Sequence, residues 1–192
     1  VLRIGNPSRV NDKMLSFTYE RRFEGHPAYT ELWGIRKSIR EMGNRMRKSS
    51  YSEREAARSR INHLRERATE LEIQINEDLF SGARVIASTL VSSNHRILTG
   101  RRFTTLFIDE AAQALEAACW IAIRKADRVI FAGDHCQLPP TIKCIEAARN
   151  GLEQTLMEKV AANKQETVSL LKVQYRMHQS IMQFSSEWFY QG

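Results

Sequence analysis

Several features that would narrow the function of a protein are scarce or absent in this sequence of 192 residues. The three cysteines, Cys119, Cys136 and Cys144, lack CxxC spacing, which argues against a disulfide framework or a zinc ribbon and favours a reducing compartment. No apolar run approaches the roughly 18 residues that cross a bilayer, and no signal-peptide pattern is found. With 9 Gly and 4 Pro, long flexible linkers are not expected. We therefore expect an intracellular protein without a membrane span, cytoplasmic or, in a eukaryote, nuclear.

Positive charge, in contrast, is abundant and unevenly placed. The formal net charge is +7 and the isoelectric point is about 9.6. Residues 36–72 contain eleven Lys or Arg and six Asp or Glu, a net charge of +5. Such an excess favours a polyanionic partner such as nucleic acid, although the same charges could simply solvate the outer faces of helices.

Most of the chain has the pattern of an α/β protein. After residue 81, short apolar segments rich in β-branched or aromatic residues predict strands, and helical stretches near 112–124 and 145–162 separate the last three of them. Strands that alternate with helices indicate a parallel sheet with helices on both faces. The predicted strands are residues 1–4, 84–89, 105–109, 128–134 and 169–175, and a final helix is predicted over about 178–190.

Residues 28–80 have a different pattern, that of a helical hairpin. Apolar residues recur at spacings of three and four from Leu32 to Met46, and again from Ala57 to Ile75. Ser49-Ser50-Tyr51 separates the two stripes, and Ser52 with Glu55 has the spacing of a capping box for the second helix. The short break favours an antiparallel hairpin inserted in the α/β domain.

Two adjacent acids follow the predicted strand 105–109. Ligands of parallel sheets bind beyond the carboxyl ends of the strands, where Asp109 and Glu110 would lie. One carboxylate suits Mg²⁺ that also contacts nucleotide phosphates, and the other can activate a water for in-line attack on a phosphoryl group. A solvated strand end before a helix that favours acids in its first turn is the alternative.

Two further strand ends carry residues suited to the same chemistry. Gly133, Asp134 and Gln137 follow the strand 128–134, where glycine permits close approach of the backbone and glutamine can contact a phosphate. Tyr175 offers a flat ring for a base, and Arg176 offers a guanidinium for a transferring phosphate. Taken singly, the first segment could be an ordinary turn and the second a surface ion pair.

Together these segments closely resemble the ATPase motifs of superfamily 1 helicases, in the up-frameshift branch that includes the immunoglobulin-mu-binding (Smubp-type) helicases. FIDEAAQALEAACW, beginning at Phe107, resembles the Walker B motif of that family, AGDHCQLPPT its third motif and VQYRMHQSIM its fourth. The three occur in the family's order. LRIGNPSRV and VIASTLVSS resemble, less specifically, segments of the first core domain that contact nucleic acid.

The resemblance implies a role for each matching residue. Asp109 would hold Mg²⁺, Glu110 would activate water, Gln137 would sense the γ-phosphate of ATP, Tyr175 would stack on adenine and Arg176 would reach the γ-phosphate. The remaining matches are implied to bind the nucleotide, namely Gln113, Gly133 and Asp134, or the backbone of single-stranded DNA or RNA, namely Asn6, Pro7, Ser8, Arg9 and Thr89.

One family motif has no counterpart, because GxxxxGK[ST], the loop that cradles the phosphates, does not occur. The resemblance implies that this loop precedes residue 1 and that further motifs follow residue 192. Residues 1–27 and 81–162 would then belong to a first RecA-like domain, 28–80 to the inserted hairpin and 163–192 to a second RecA-like domain. The leading hypothesis is a partial helicase motor that uses ATP and Mg²⁺. The alternative is a non-catalytic fragment that binds nucleic acid or another partner. A third possibility, an ATP-dependent switch that does not move along a nucleic-acid strand, explains VQYRMHQ less well.

Overall fold

The structure is a computed structural model that describes residues 1–46, 51–190 and 192, except for the side chain of Ser52. Its contacts divide the chain into two compact units, Val1–Thr99 and Gly100–Gly192. Each unit contains one pair of parallel strands together with helices. The α/β class and the parallel strand pairing predicted from the sequence are therefore confirmed. None of the described helices is both long and apolar enough to span a membrane.

The first unit is built on a short parallel pair of strands. Strand β1, Leu2–Ile4, pairs with β2, Ile86–Ser88, and the side chains of Leu2 and Ile4 are buried. Its α-helices are α1, Tyr19–Glu24, α2, Tyr29–Met46, and α3, Tyr51–Ser81. Short 3₁₀ helices occupy Pro7–Arg9, Asp12–Phe17, Val91–Asn94 and Arg96–Leu98.

Helices α2 and α3 pack on each other along the predicted apolar stripes. Leu32, near the start of α2, shares a buried cluster with three residues from the second half of α3, Ala68, Leu71 and Ile75. Arg67 of α3 is 2.9 Å from Glu31 of α2, and Arg36 is 2.6 Å from Glu72. Part of the basic charge of this segment is thus paired within the hairpin. The predicted break at Ser49-Ser50 and the capping side chain of Ser52 lie outside the described residues.

The second unit is built on a longer parallel pair. Strand β3, Phe103–Ile108, pairs with β4, Ala126–Phe131, and Ile108 lies opposite Phe131. The remaining helical segments follow the chain as α4, Glu116–Ile123, α5, Ile145–Ala147, α6, Leu156–Asn163, and α7, Gln179–Phe189. A π-helical turn covers Ala148–Leu152, and 3₁₀ helices cover Ala111–Gln113 and Gln165–Thr167.

Two predicted elements of this unit differ from the structure. The strand predicted at 169–175 is wrong, because these residues adopt no regular structure and Leu171 and Val173 are exposed. The helix predicted over 145–162 is broken at Gly151, whose φ of 94° cannot continue a helix. A new helix then begins with a capping box, in which Thr155 and Glu158 each accept the backbone N–H of the other.

Candidate active site and nucleic-acid interface

The carboxyl end of β3 presents the two predicted acids to solvent. Ile108 is buried, whereas Asp109 and Glu110 are exposed. Asp109 Oδ1 accepts the backbone N–H of Glu110 at 3.1 Å. Glu110 has a φ of 52°, in the left-handed region that side chains other than glycine rarely adopt. Backbone strain of this kind is concentrated at functional sites, so this turn is a candidate for one.

Strand β4 brings the second predicted segment to the same edge. The N–H of Ala132 donates to the carbonyl of Ile108 at 2.8 Å, and the N–H of Ala111 donates to the carbonyl of Ala132 at 2.9 Å. A Cβ added to Gly133 would lie 3.0 Å from the backbone nitrogens of Ala111 and Ala112. A side chain at position 133 would therefore force the backbone of this turn to shift by a few tenths of an ångström. Its contact with a nucleotide stays a prediction.

Asp134 organises the turn after Gly133. Its Oδ1 accepts the N–H of Cys136 at 3.0 Å, and its Oδ2 accepts from Gln137 Nε2 at 2.8 Å and from the hydroxyl of Tyr190. Burial alone would raise the pKa of Asp134, but the hydrogen bonds from Tyr190, Gln137 and Cys136 outweigh it and hold the pKa below its ordinary value. The same bond to Asp134 raises the pKa of Tyr190 to about 12.

Gln113 lies close to the acidic pair. Its Nε2 is 3.5 Å from Glu110 Oε2, at the outer limit of a hydrogen bond. The 3₁₀ helix Ala111–Gln113 positions this side chain, because Ala111 and Ala112 are buried and leave Gln113 exposed. The structure thus groups Gln113 with Glu110, while its contact with a nucleotide is untested.

Tyr175 and Arg176 lie on an exposed turn. The side chain of Gln174 holds this turn, accepting the N–H of Arg176 at 2.9 Å and that of Met177 at 2.7 Å. Tyr175 is 95% exposed. Within the part of the chain that the structure describes, the side chains of Tyr175 and Arg176 make no hydrogen bond or ion pair to Asp109, Glu110 or Gln137. The structure therefore joins the β3 and β4 segments of the predicted site and leaves the third segment separate.

Two groups of side chains could be considered as metal ligands. Ligand atoms of Asp134, His135 and Cys136 lie within 4.8 Å of one another. Both carboxylate oxygens of Asp134 already accept hydrogen bonds, so this group is poorly suited to a cation. The carboxylates of Asp109 and Glu110 are exposed and retain free oxygen lone pairs, which are the ligands that Mg²⁺ prefers.

In the first unit, the carboxyl ends of β1 and β2 border a cavity of about 380 Å³. Asn6, Arg9 and Thr89 line it, so three of the five predicted nucleic-acid contacts lie together. Pro7 and Ser8 are in the adjoining 3₁₀ helix, which Asn6 caps by accepting the N–H of Ser8 at 2.9 Å. The remaining lining residues are Arg3, Ile4, Gly5, Ala87, Ser88 and Ser92.

Two arginines and three hydroxyl side chains line this cavity, namely Arg3, Arg9, Ser88, Thr89 and Ser92. Nη1 of Arg3 is buried and has no hydrogen-bond partner among the described residues. The hydroxyl of Thr89 bonds to Ser92 Oγ at 2.9 Å, which fixes its position. Arg3 and Arg9 bring two guanidinium groups to the lining of this cavity, and guanidinium groups suit an anion. Sequence analysis missed Arg3 because its position inside a strand carries no signal of an unsatisfied group.

Sequence analysis also missed Tyr190. It follows an amphipathic helix and is 56 residues from Asp134 in the sequence, so no local pattern indicates their contact.

Comparisons with known proteins agree with the motifs. Two family models match, each described as an AAA domain, one over residues 1–144 and the other over residues 152–192. DNA-binding protein SMUBP-2 of Rattus norvegicus is 34% identical over 198 residues, covering 100% of this chain and 20% of that protein. An uncharacterized ATP-dependent helicase of Methanocaldococcus jannaschii is 28% identical over 225 residues, covering 99% of this chain and 34% of the helicase.

A third relative matches only part of the chain. The Regulator of nonsense transcripts 1 homolog of Drosophila melanogaster is 40% identical over 115 residues, which is 59% of this chain and 10% of that protein. The chain thus spans between 10% and 34% of the length of these three relatives.

Proposed function

This chain belongs to the SMUBP-2 and up-frameshift branch of the superfamily 1 helicases, and from that premise we propose that the protein containing it hydrolyses ATP to move along single-stranded DNA or RNA and unwind duplexes. The observation that carries the proposal is the meeting of two strand ends, where the backbone around Gly133 touches the turn that follows Glu110. A parallel α/β sheet binds its ligands at this edge. We assign the strands to RecA-like domains, with residues 28–80 as an inserted hairpin and residues 163–192 as the start of the second domain.

The two exposed acids, Asp109 and Glu110, are assigned different roles in ATP hydrolysis. Asp109 is assigned to hold Mg²⁺, which would neutralise charge on the phosphates of ATP. Glu110 is assigned to take the proton of the attacking water, for which its carboxylate is solvent-accessible. Gln137, held by Asp134, is assigned to contact the γ-phosphate or the water beside it. Gly133 and Gln113 line the same turn on the nucleotide side.

The exposed turn of the third motif supplies the remaining roles. We assign Tyr175 to stacking on the adenine ring and Arg176 to the γ-phosphate. Both side chains are open to solvent. We propose that a movement brings this turn to the strand ends, and such closure would couple hydrolysis to movement along the strand.

The cavity at the ends of β1 and β2 is assigned to the nucleic-acid backbone. Its guanidinium groups and hydroxyls suit phosphate oxygens, the contacts that give binding without sequence preference. Asn6, Pro7, Ser8, Arg9 and Thr89 form the proposed contact surface, and Arg3 adds a donor from β1.

Replacing Glu110 by glutamine in the full-length protein tests the catalytic assignment. The amide keeps the size of the side chain but cannot take a proton, so we expect ATP turnover to fall by at least about a hundredfold. Binding of a fluorescent ATP analogue should change by less than about threefold, because the binding groups remain. Glu153→Gln, at an exposed position outside the site, is the matched control. Turnover of Glu110→Gln equal to that of the control would contradict the proposal.

A second candidate function is that the 192 residues act only as a nucleic-acid-binding module. The cationic cavity favours it, together with the lack of GxxxxGK[ST] within these residues. Titrating the chain with a fluorescent nucleotide and with an oligonucleotide separates the two. Tight, Mg²⁺-dependent nucleotide binding would argue against the module, whereas salt-sensitive oligonucleotide binding without nucleotide affinity would favour it.

A further inference from the structure

One carboxylate oxygen connects the turn of Gln137 to the last described helix. Asp134 Oδ2 accepts both Gln137 Nε2, at 2.8 Å, and the hydroxyl of Tyr190. Asp134 is only partly exposed, and its depressed pKa keeps it ionised at neutral pH. Both bonds are therefore charge-assisted, which makes each about twice as strong as a neutral one.

The two ends of this connection lie in regions matched by different family models. Asp134 lies in residues 1–144, and Tyr190 lies in residues 152–192. Tyr190 caps α7, where its N–H donates to the carbonyl of Ser186 at 3.0 Å and its ring lies beside that of Phe189. The hydroxyl is thus held by the end of a helix of eleven residues.

The shared oxygen also determines how Gln137 faces solvent. With one N–H of its amide donated to Asp134, Gln137 has one N–H and one carbonyl oxygen left for a phosphate or a water. Gln137 is exposed, so these groups are available to a ligand. Without the Tyr190 hydroxyl, the Asp134 carboxylate would keep only the bonds from Cys136 and Gln137, and Oδ2, which orients the amide, would lose one of its two donors.

We propose that Tyr190 is a positioning residue that orients Gln137 through Asp134 and so transmits movement of α7 to the site of ATP hydrolysis. This inference rests on the proposed function. In this inference the effect of Tyr190 passes through the carboxylate of Asp134, to which its hydroxyl donates. Movement of α7 would break or form the Tyr190 bond, and the orientation of Gln137 would change with it.

Replacing Tyr190 by phenylalanine in the full-length protein tests the inference. The substitution removes one hydroxyl and keeps the ring, so packing is retained. We expect kcat for ATP hydrolysis to fall about fivefold to tenfold, the size expected for one lost hydrogen bond, with KM for ATP changed less than about twofold. Tyr51→Phe is the matched control, because the side chain of Tyr51 is 85% exposed.

A double-mutant cycle with Gln137→Ala distinguishes positioning from a merely structural effect. If Tyr190 acts through Gln137, Tyr190→Phe has no further effect on kcat once Gln137 is alanine. Equal fractional losses in both backgrounds, or a kcat of Tyr190→Phe equal to that of Tyr51→Phe, would overturn the inference while leaving the proposed function intact. Absence of turnover in the unmodified protein would overturn both.

Discussion

Gly133 is the residue at which the two halves of the candidate active site touch. An alanine Cβ would lie 3.0 Å from two backbone nitrogens of the turn after Glu110 and 3.1 Å from Met157 Sδ. The methionine can move aside, but the backbone atoms are held by the strand pair. We expect Gly133→Ala to lower the free energy of unfolding by about 1–3 kcal/mol and to displace Glu110. Chemical denaturation of the 192-residue chain measures the first effect.

A glycine in open space supplies the comparison. Gly34 lies inside α2, and an added Cβ would meet nothing within 4 Å. Gly34→Ala should raise the free energy of unfolding by up to about 1 kcal/mol, since alanine favours helix. Similar effects of the two substitutions would show that the close approach at Gly133 is not tight.

The bond between Asp134 and Tyr190 predicts a defined pH dependence of stability. It needs a charged carboxyl and a neutral phenol. The pKa of Asp134 lies below its ordinary 3.8, so its contribution is present above 3.8 and is lost as pH falls through the lowered pKa. The pKa of Tyr190 is raised from 10.0 to about 12, so its contribution is present below 10.0 and is lost as pH rises towards 12.

The difference in unfolding free energy between the unmodified chain and Tyr190→Phe should therefore be constant between about pH 4 and pH 10 and shrink on both sides. Denaturation curves of the two proteins over this range give that difference directly. Tyr51→Phe should show no such plateau. A difference that is independent of pH, or that is zero at neutral pH, would contradict the hydrogen bond.

The acids that the sequence placed at the ends of neighbouring strands share one property. Asp109, Glu110 and Asp134 each follow one of two strands that pair in parallel, so local pattern and topology suffice to place them at the same edge of the sheet. Arg3 and Tyr190 depend on which distant group faces them, and periodicity carries no such information. The roles of all these residues with ATP stay predictions, because geometry alone does not test them.

Among the elements, the α2–α3 hairpin offers a clean test of core packing. Ile75 is fully buried against Leu32 and Leu71, whereas Ile73, two residues earlier in the same helix, is 57% exposed. Ile75→Ala should cost about 2–4 kcal/mol, because it removes buried methyl groups and leaves a cavity. Ile73→Ala should change stability by no more than about 0.5 kcal/mol. Thermal or chemical unfolding measures both changes. Equal losses of stability would contradict the assignment of Ile75, and not Ile73, to the contact between α2 and α3.

Sequence prediction succeeded for elements that are stabilised by a repeating apolar pattern and failed for a strand that depends on a partner strand. The hairpin helices were predicted because apolar residues repeat along them. Of the six residues in the predicted apolar stripe of α3 from Ala57 to Ile75, four are buried, namely Ile61, Ala68, Leu71 and Ile75. The segment 169–175 is equally apolar and β-branched, but a strand also needs a partner, and Leu171 at 89% exposure has none among the described residues. The composition of residues 169–175 therefore predicts a strand, but no strand pairing among the described residues stabilises one there.

The net charge is the property of the whole molecule that the sequence predicts most directly. The structure adds which cationic side chains are already paired with carboxylates. The net charge of +7 does not reveal which cations are available to a partner. Arg67 is committed to Glu31 and Glu70 at 2.9 Å and 3.3 Å, whereas Arg9 lines the cavity at the strand ends of the first unit. Only the second kind of arginine is placed to bind a phosphate.

This distinction predicts how salt affects binding of single-stranded oligonucleotides to the full-length protein. Each phosphate neutralised on a single strand adds about 0.7 to the negative slope of log K against log salt. Arg9→Ala should therefore reduce the slope by about 0.7, while Arg67→Ala, which removes a guanidinium already paired with two carboxylates, should leave it unchanged. Fluorescence anisotropy over a salt series gives both slopes. A reduced slope for Arg67→Ala with an unchanged slope for Arg9→Ala would indicate that the phosphate contact lies on the helical hairpin and not in the cavity.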